Sequence, residues 1–156
     1  MIVKKMLLLS ILMCFIILFS ACGDVIVEPK WVIGIKGAEV KVFSSIDCDK
    51  LDDISIRIER TQSDGSIIEE ELQGVYLKDV LDYLDIEEYS SVTLSSRDDV
   101  TVNYLSEAVE DITTILATKV NGKEVWEEGY IVIQLVSGNQ PEDRWIWNLK
   151  TLTVNP

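Results

Sequence analysis

Residues 54–59 alternate strictly between apolar and polar side chains, Ile-Ser-Ile-Arg-Ile-Glu, and the polar Arg60 follows them. A period of two places every apolar side chain on one face, which is typical of a half-buried β-strand. Other short β-branched or aromatic runs are separated by turn residues such as Asp64-Gly65 and Asn121-Gly122. The pattern predicts strands at 31–35, 40–43, 54–60, 67–72, 92–95, 100–104, 113–120, 130–136 and 145–154.

The period changes to that of a helix after the breaker Gly74. The apolar residues that mark one helical face over 75–84 are Val75, Leu77, Val80, Leu81 and Leu84. A shorter helix is predicted over 105–111, whereas the nearly continuous apolar run 130–136 predicts a central strand buried on both faces. With no repeat and no second domain visible, the sequence predicts one mixed α+β domain, mainly β, over residues 31–156.

The first 21 residues have the three zones of a secretory signal peptide. Lys4 and Lys5 precede the apolar stretch 6–19, and the small residues Ser20-Ala21 follow it. The apolar stretch is shorter than the ~18 residues expected of a membrane-spanning helix. We therefore expect a segment that is removed after export.

The end of this segment, Leu-Phe-Ser-Ala-Cys at 18–22, resembles the bacterial lipobox, with Phe19 in place of the usual aliphatic residue. The resemblance implies cleavage before Cys22 and lipidation of that cysteine by diacylglycerol and palmitate-type chains. The domain would then be extracytoplasmic, anchored to the cell membrane through its lipid, with residues 22–30 as a tether. The alternative is an ordinary signal peptide that happens to precede a cysteine.

The charge of the chain limits its partners. Removing the signal peptide leaves 12 basic and 27 acidic residues, a net charge of −15. Such an acidic domain is unsuited to nucleic acid and is repelled by anionic lipid headgroups, so only the lipid would hold it at the membrane. The absence of histidine excludes Ser-His-Asp and Cys-His catalysis, His-ligated haem and ordinary zinc sites.

Five segments of the second half carry short motifs in a recognisable order. They are Gly-Val-Tyr-Leu-Lys-Asp-Val-Leu at 74–81, a strand, turn and strand at 92–104, Ile-Leu-Ala at 115–117 with Asn-Gly-Lys-Glu-Val at 121–125, Gly-Tyr-Ile-Val-Ile-Gln-Leu-Val at 129–136, and the closing segment 144–154. In this order they resemble the oxidoreductase molybdopterin-binding domain, the fold of sulfite oxidase and related molybdenum enzymes. The resemblance covers about residues 31–156 and implies that fold.

Departures from this family bear on function. Its catalytic members bind molybdenum through a cysteine just after an early strand, but the corresponding stretch here, 56–66, contains no cysteine. Cys48 lies about a dozen residues too early, among aspartates that disfavour a reactive thiolate, and Gln134 stands where the family shows an arginine. We therefore expect no metal ligands, no catalytic residues and no cofactor, although the resemblance alone would allow molybdopterin.

The residues predicted to bind a ligand are Arg60, Thr61, Arg97, Arg144 and Trp145. If the domain keeps the ligand face of the fold, Arg60 and Thr61 lie near the vacated metal position and could hold a small anion. Trp145 and Trp147, two apart, point the same way on a strand, as part of the core or as a stacking wall.

The sequence leaves three functions open. The main one is a non-catalytic binding or accessory module for a small anionic ligand or a surface protein. The second is a molybdenum-cofactor-dependent oxidoreductase with atypical metal ligation. The third is a structural or adhesive surface protein, which the absence of a concave polar pocket would favour.

Overall fold

A computed structural model of the chain describes residues 27–127, 130–131 and 133–156. The predicted signal peptide, Cys22 and most of the predicted tether lie outside these residues. In the part of the chain that is described, no helix is long and apolar enough to cross a membrane. The domain is mainly β, which confirms the predicted fold class. Its strands are β1 (Val32–Lys36), β2 (Lys41–Ser44), β3 (Ile54–Thr61), β4 (Ile67–Tyr76), β5 (Ser91–Ser96), β6 (Thr101–Leu105), β7 (Thr114–Val120), β8 (Lys123–Glu124), β9 (Trp126–Glu127), β10 (Tyr130–Ile131), β11 (Gln134–Ser137) and β12 (Leu149–Asn155).

Five strands form sheet A in the order β2-β1-β12-β5-β6. Within this sheet, only β1 and β12 run parallel. Although β12 is the last strand of the chain, it lies between β1 and β5. Alternate residues of these strands are buried, so one face belongs to the core and the other carries short polar side chains such as Thr93 and Thr151.

Sheet B has the order β11-β7-β4-β3, and β8 pairs with β7. The register between β4 and β7 shifts between Gln73 and Gly74. A Cβ at Gly74 would overlap the Leu116 carbonyl oxygen and lie 2.9 Å from the Ala117 Cα. Gly74 is therefore required by a close backbone approach inside a strand, and not as the helix breaker predicted from the sequence.

The main core lies between the two sheets. Sheet A contributes Ile33, Phe43 and Leu94, and sheet B contributes Leu116 and Leu135, all of them at most 1% exposed. The helix α2 (Leu77–Tyr83) closes the same core with three buried apolar residues. Burial of these side chains is the dominant stabilising contribution in a domain without a disulfide among its described residues.

A second apolar cluster covers the outer face of sheet B. Its buried members are Ile58, Leu72, Ile115, Ala117, Val136 and Trp145. The backbone of Ile146 exchanges hydrogen bonds with Leu135 at 2.8 and 2.9 Å. Because neighbouring residues of an extended segment face opposite ways, Ile146 joins the main core while Trp145 and Trp147 cover the second cluster.

Several predicted boundaries were wrong. The predicted helix over 75–84 begins at Leu77, since Val75 belongs to β4, and the helix predicted over 105–111 is only α3 (Ser106–Val109). The predicted strand 130–136 is divided between β10, which pairs with β9, and β11. The sequence analysis missed α1 (Ser45–Cys48), whose first turn is held by a capping box between Ser44 and Asp47.

Candidate functional site

A pocket of about 320 Å³ opens at the end of the second apolar cluster, on the outer face of sheet B. Its volume is at the lower end of the ~300–1,000 Å³ typical of small-molecule sites. Its walls combine two apolar side chains with a tryptophan ring and four polar side chains. The lining residues are Arg60, Glu70, Val120, Glu124, Val125, Gln134 and Trp147.

Strand periodicity brings these side chains to one face. Arg60 lies two residues beyond the buried Ile58 on β3, and Glu70 lies two residues before the buried Leu72 on β4. Gln134 lies two residues before the buried Val136 on β11. The pocket thus begins where β3, β4 and β11 change from apolar to polar side chains on the outer face of sheet B.

Arg60 and Glu70 form the polar base of the pocket. The Arg60 Nη2 donates a hydrogen bond of 2.9 Å to the Glu70 Oε1, and the Glu70 side chain is only 10% exposed. The guanidinium carbon lies 5.5 Å from the centre of the Trp147 ring, within the range of a cation–π interaction. This geometry keeps the buried carboxylate paired and fixes the plane of the guanidinium.

Two buried polar atoms of the pocket residues have no hydrogen-bond partner. They are the Arg60 Nε, a donor, and the Gln134 Oε1, an acceptor. Gln134 as a whole is 7% exposed, so water does not readily replace the missing partner. Because an unsatisfied buried polar group costs about 1–3 kcal/mol, native structures contain few of them, and their occurrence in one pocket is informative.

The charges around the pocket do not favour an anion. Both carboxylates of the pocket are already paired, Glu70 with the Arg60 guanidinium at 2.9 Å and Glu124 with the Lys30 ammonium at 3.2 Å, so the lining offers a new anion no unpaired positive charge. The small anion suggested by the sequence stays a prediction without support from this charge balance.

Thr61 and Arg97 do not line the pocket. The Thr61 backbone N–H donates to the Glu142 Oε2 at 3.3 Å, which ties the end of β3 to the 3-10 turn Glu142–Arg144. Arg97 is exposed in the turn between β5 and β6, and its backbone N–H donates to the Asn148 carbonyl at 2.9 Å. The backbone contacts of both residues therefore hold neighbouring segments together.

Arg144 belongs to a different concavity, of about 340 Å³, that also includes Tyr104 and Asp111. Its guanidinium carbon lies 5.9 Å from the Tyr104 ring centre, and its Nη2 donates to the Asn103 carbonyl oxygen. Like Arg60, it has a buried Nε without a partner. The five predicted ligand residues therefore do not form one site.

Trp145 is a core residue and not a stacking surface, since it is 7% exposed. Its Nε1 donates to the Ser137 carbonyl oxygen at 2.9 Å and also lies 3.2 Å from that of Gln140. The ring centres of Trp145 and Trp147 are 6.5 Å apart, so the two indoles share one side of the segment as their spacing predicts.

Another concavity, of about 940 Å³, lies between the turn after β1 and the loop after α2. It is lined mainly by exposed residues, including Lys36, Glu87 and Glu88, and none of its residues carries an unpartnered buried atom. We regard the smaller pocket on sheet B as the better candidate because its polar groups are buried and incompletely paired.

The fold has a known counterpart. It is similar to the sulfane dehydrogenase SoxCD from Paracoccus pantotrophus, with a TM-score of 0.67 and 18% sequence identity. The match covers 83% of this chain but only 40% of the SoxCD chain. No protein-family profile and no curated protein sequence matches the chain. The likeness shows a distant molybdopterin-related fold, of the sulfite-oxidase type, as the sequence motifs predict.

Among the described residues, Cys48 is the one cysteine, and it does not line the pocket on sheet B where a single-cysteine molybdenum ligand would be sought. No group of three or more Cys, His, Asp or Glu side chains within them is placed to hold a metal ion. Cys48 packs against the main core, away from the pocket, and burial followed by the charges of Asp49 and Asp53 raises the pKa of its thiol to about 12. A thiol that resists ionisation is a poor source of the soft thiolate ligand that the family uses.

Two buried polar residues of the pocket, Glu70 and Gln134, were not predicted as ligand residues, and Trp147 was predicted only as a possible stacking wall beside Trp145. Glu70 is the middle of three consecutive glutamates, and the period of β4 turns it inward while its neighbours face out. Gln134 is the single polar residue in the apolar run 130–136 apart from the Tyr130 hydroxyl. A polar side chain inside a predicted buried strand was the available signal.

Proposed function

We propose that this chain is an extracytoplasmic lipoprotein, anchored to the membrane through Cys22, whose domain is a non-catalytic binding module. The pocket formed by Arg60, Gln134 and Trp147 would be its binding site. The proposed partner is either a small ligand held in this pocket or a surface protein that inserts a side chain into it.

The observation that carries the binding role is the buried, unpartnered donor and acceptor in one pocket. A purely structural or adhesive domain gains nothing from leaving these groups unpaired, because each lowers its stability. The position of Cys48 against the main core and the raised pKa of its thiol support a role other than that of the molybdenum enzymes with this fold, which hold the metal through a cysteine.

Membrane anchoring is supported by the signal-peptide and lipobox residues alone. We expect radiolabelled palmitate fed to expressing cells to be incorporated into the protein and the protein to fractionate with membranes. Cys22→Ser should abolish both labelling and membrane association without affecting the fold of the domain. Labelling that persists in Cys22→Ser would contradict the proposed anchor.

A molybdenum-dependent oxidoreductase is the second candidate, because the fold is similar to that of SoxCD. The two candidates are separated by the molybdenum and pterin content of protein purified from a host that makes molybdenum cofactor. The binding-module proposal expects neither in stoichiometric amount, with a molybdenum enzyme from the same host as positive control. Near-stoichiometric molybdenum and pterin would establish the enzyme and refute the non-catalytic proposal.

A further inference from the structure

The pocket on sheet B leaves one hydrogen-bond donor and one acceptor open, the Arg60 Nε and the Gln134 Oε1. We infer that it takes a neutral ligand rich in hydroxyl groups, of which a simple sugar is the representative class. This inference rests on the proposed binding function and specifies the chemistry of its ligand.

An anion does not match the pocket. The Arg60 Nη2 is already engaged by Glu70 at 2.9 Å, so the guanidinium cannot offer its full fork of donors to a second anion. A ligand carboxylate or phosphate would also meet the Gln134 Oε1, which is another acceptor, and would compete with Glu70 for the Arg60 guanidinium. The net charge of the whole chain, −13, adds repulsion during approach.

A simple cation does not match it either. An ammonium group could donate to the Gln134 Oε1 but has no lone pair to accept from the Arg60 Nε–H. It would also approach the Arg60 guanidinium, which lines the same small pocket. The acidic field of the protein would attract a cation, but the Arg60 donor would stay unpaired.

Both atoms are buried, so a ligand reaches them only when a covering side chain moves. A hydroxyl group both donates and accepts, so hydroxyls then satisfy both positions without adding charge. The remaining walls include the apolar side chains of Val120 and Val125, against which the C–H groups of a polyol ring can pack. We do not assign a stacking role to Trp147, because the Arg60 guanidinium already lies over its ring.

The test is an NMR titration of ¹⁵N-labelled full-length protein, purified from membranes in a detergent without sugar headgroups. The side-chain signals of the Arg60 Nε–H and the Gln134 amide report on the pocket directly. The neutral probes are glucose, galactose, N-acetylglucosamine, inositol and glycerol, and the charged probes are sulfate and putrescine at matched ionic strength. Affinities are then measured by calorimetry.

Two variants remove one open group each. Gln134→Leu removes the acceptor and should fold well, since it replaces an unsatisfied buried group with an apolar one of similar size. Arg60→Lys removes the Nε donor while keeping a positive charge beside Glu70. Arg144→Lys is the matched control, because Arg144 also lies over an aromatic ring and has an unpartnered Nε, but in another concavity.

We expect at least one neutral probe to shift both side-chain signals, and its Kd to rise about tenfold in Gln134→Leu and in Arg60→Lys. Arg144→Lys should leave that Kd unchanged. Shifts caused by sulfate or putrescine alone would overturn the inference but leave the proposed binding function standing. Silence toward every probe would overturn both the inference and the small-ligand part of the proposed function.

Discussion

The two sheets of this domain share one core but differ in what covers their outer faces. Sheet A exposes short polar side chains there, and Thr93, for example, exchanges hydrogen bonds with Asn103 and Asn155 at 3.1 and 3.0 Å. Sheet B is covered by a second apolar cluster under Trp145 and Trp147. A strand whose sheet is exposed to water on one face alternates between apolar and polar residues. A strand whose sheet is covered on both faces can carry apolar side chains at successive positions.

The candidate pocket occurs only where the second layer ends. At this end of sheet B the apolar cluster no longer covers the outer face, but the face is not open to solvent. Glu70 and Gln134 are therefore buried there, each with 7% exposure. A fully covered face would have had apolar residues at these positions, and an open face would have let water pair with them. Incomplete coverage is thus what creates buried polar groups available to a ligand.

The strongest test of the comparison uses adjacent residues of β7. Leu116 faces the main core and Ile115 faces the second cluster, and both are fully buried. We expect Leu116→Ala and Ile115→Ala each to lower the free energy of unfolding by about 3 kcal/mol, because each deletes buried methyl groups and leaves a cavity. Urea unfolding at neutral pH measures both values.

The control for this pair is Thr151→Ala on the outer face of sheet A. It should change the free energy of unfolding by no more than about 0.5 kcal/mol, as is usual for surface substitutions. If Ile115→Ala cost as little as Thr151→Ala, the cluster on sheet B would not be a second core and the contrast between the sheets would fail.

Much of the fold could be predicted from the sequence. The strand predicted at 54–60 is β3, which ends one residue later than predicted, and Asn121-Gly122 forms the tight turn after β7 with positive φ angles of 50° and 75°. These signals are local. The continuation of β4 through Gly74 was missed because its cause is a contact with Leu116 and Ala117, more than forty residues away. No local pattern reports such a contact.

The site was less predictable than the fold. Arg60 was predicted because it lies near the vacated metal position of the family, but its partner Glu70 could not be chosen from three consecutive glutamates without knowing the register of β4. Arg144 and Arg60 were grouped by residue type, and only the packing assigns them to separate concavities. The pairing of distant strands decides which side chains come into contact, and no short segment of the sequence determines that pairing.

The second prediction compares these two arginines. Arg60→Leu removes the partner of a buried carboxylate, whereas Arg144→Leu removes a donor to a backbone carbonyl. We expect Arg60→Leu to cost about 2 kcal/mol, less than for a fully buried pair because the Arg60 side chain is 32% exposed, and Arg144→Leu to cost about 1 kcal/mol. Thermal and urea unfolding check both values.

The double variant Arg60→Leu with Glu70→Leu sharpens this result. It removes both charges, so we expect most of the stability lost in Arg60→Leu to return. If the double variant were no more stable than Arg60→Leu, the cost would come from lost packing against Trp147, and the stranded carboxylate would not be its cause.

The smallest effect is expected at the edge of sheet A, where no second cluster contributes. The Asp47 carboxylate accepts hydrogen bonds from the Ser44 hydroxyl at 2.6 Å and from the Ser44 backbone N–H at 3.1 Å, which anchors α1 to the end of β2. The hydrogen bond from the Ser44 hydroxyl is the main cause that lowers the pKa of Asp47 from 3.8 to about 2. Hydrogen bonds from Lys50 and Tyr83 also lower this pKa, whereas partial burial of the carboxylate raises it.

A pKa that is lower in the folded state stabilises the protein only while the group is ionised. The contribution of Asp47 is therefore present above about pH 4 and is lost as the pH falls toward about 2. We expect Asp47→Asn to lower the free energy of unfolding by about 1 kcal/mol near neutral pH, which is the usual scale of a capping interaction. The difference in free energy between this variant and the natural protein should then shrink as the pH falls from about 4 to about 2.

Urea unfolding of the natural protein and Asp47→Asn across that pH range measures this difference. Asp52→Asn is the control, since Asp52 is an exposed aspartate in the turn before β3. A difference for Asp47→Asn that stays constant down to pH 2 would show that the amide loses packing or geometry and not charge. The edge of sheet A would then be held by side-chain fit, as the second layer of sheet B is, and the two sheets would differ less than their coverings suggest.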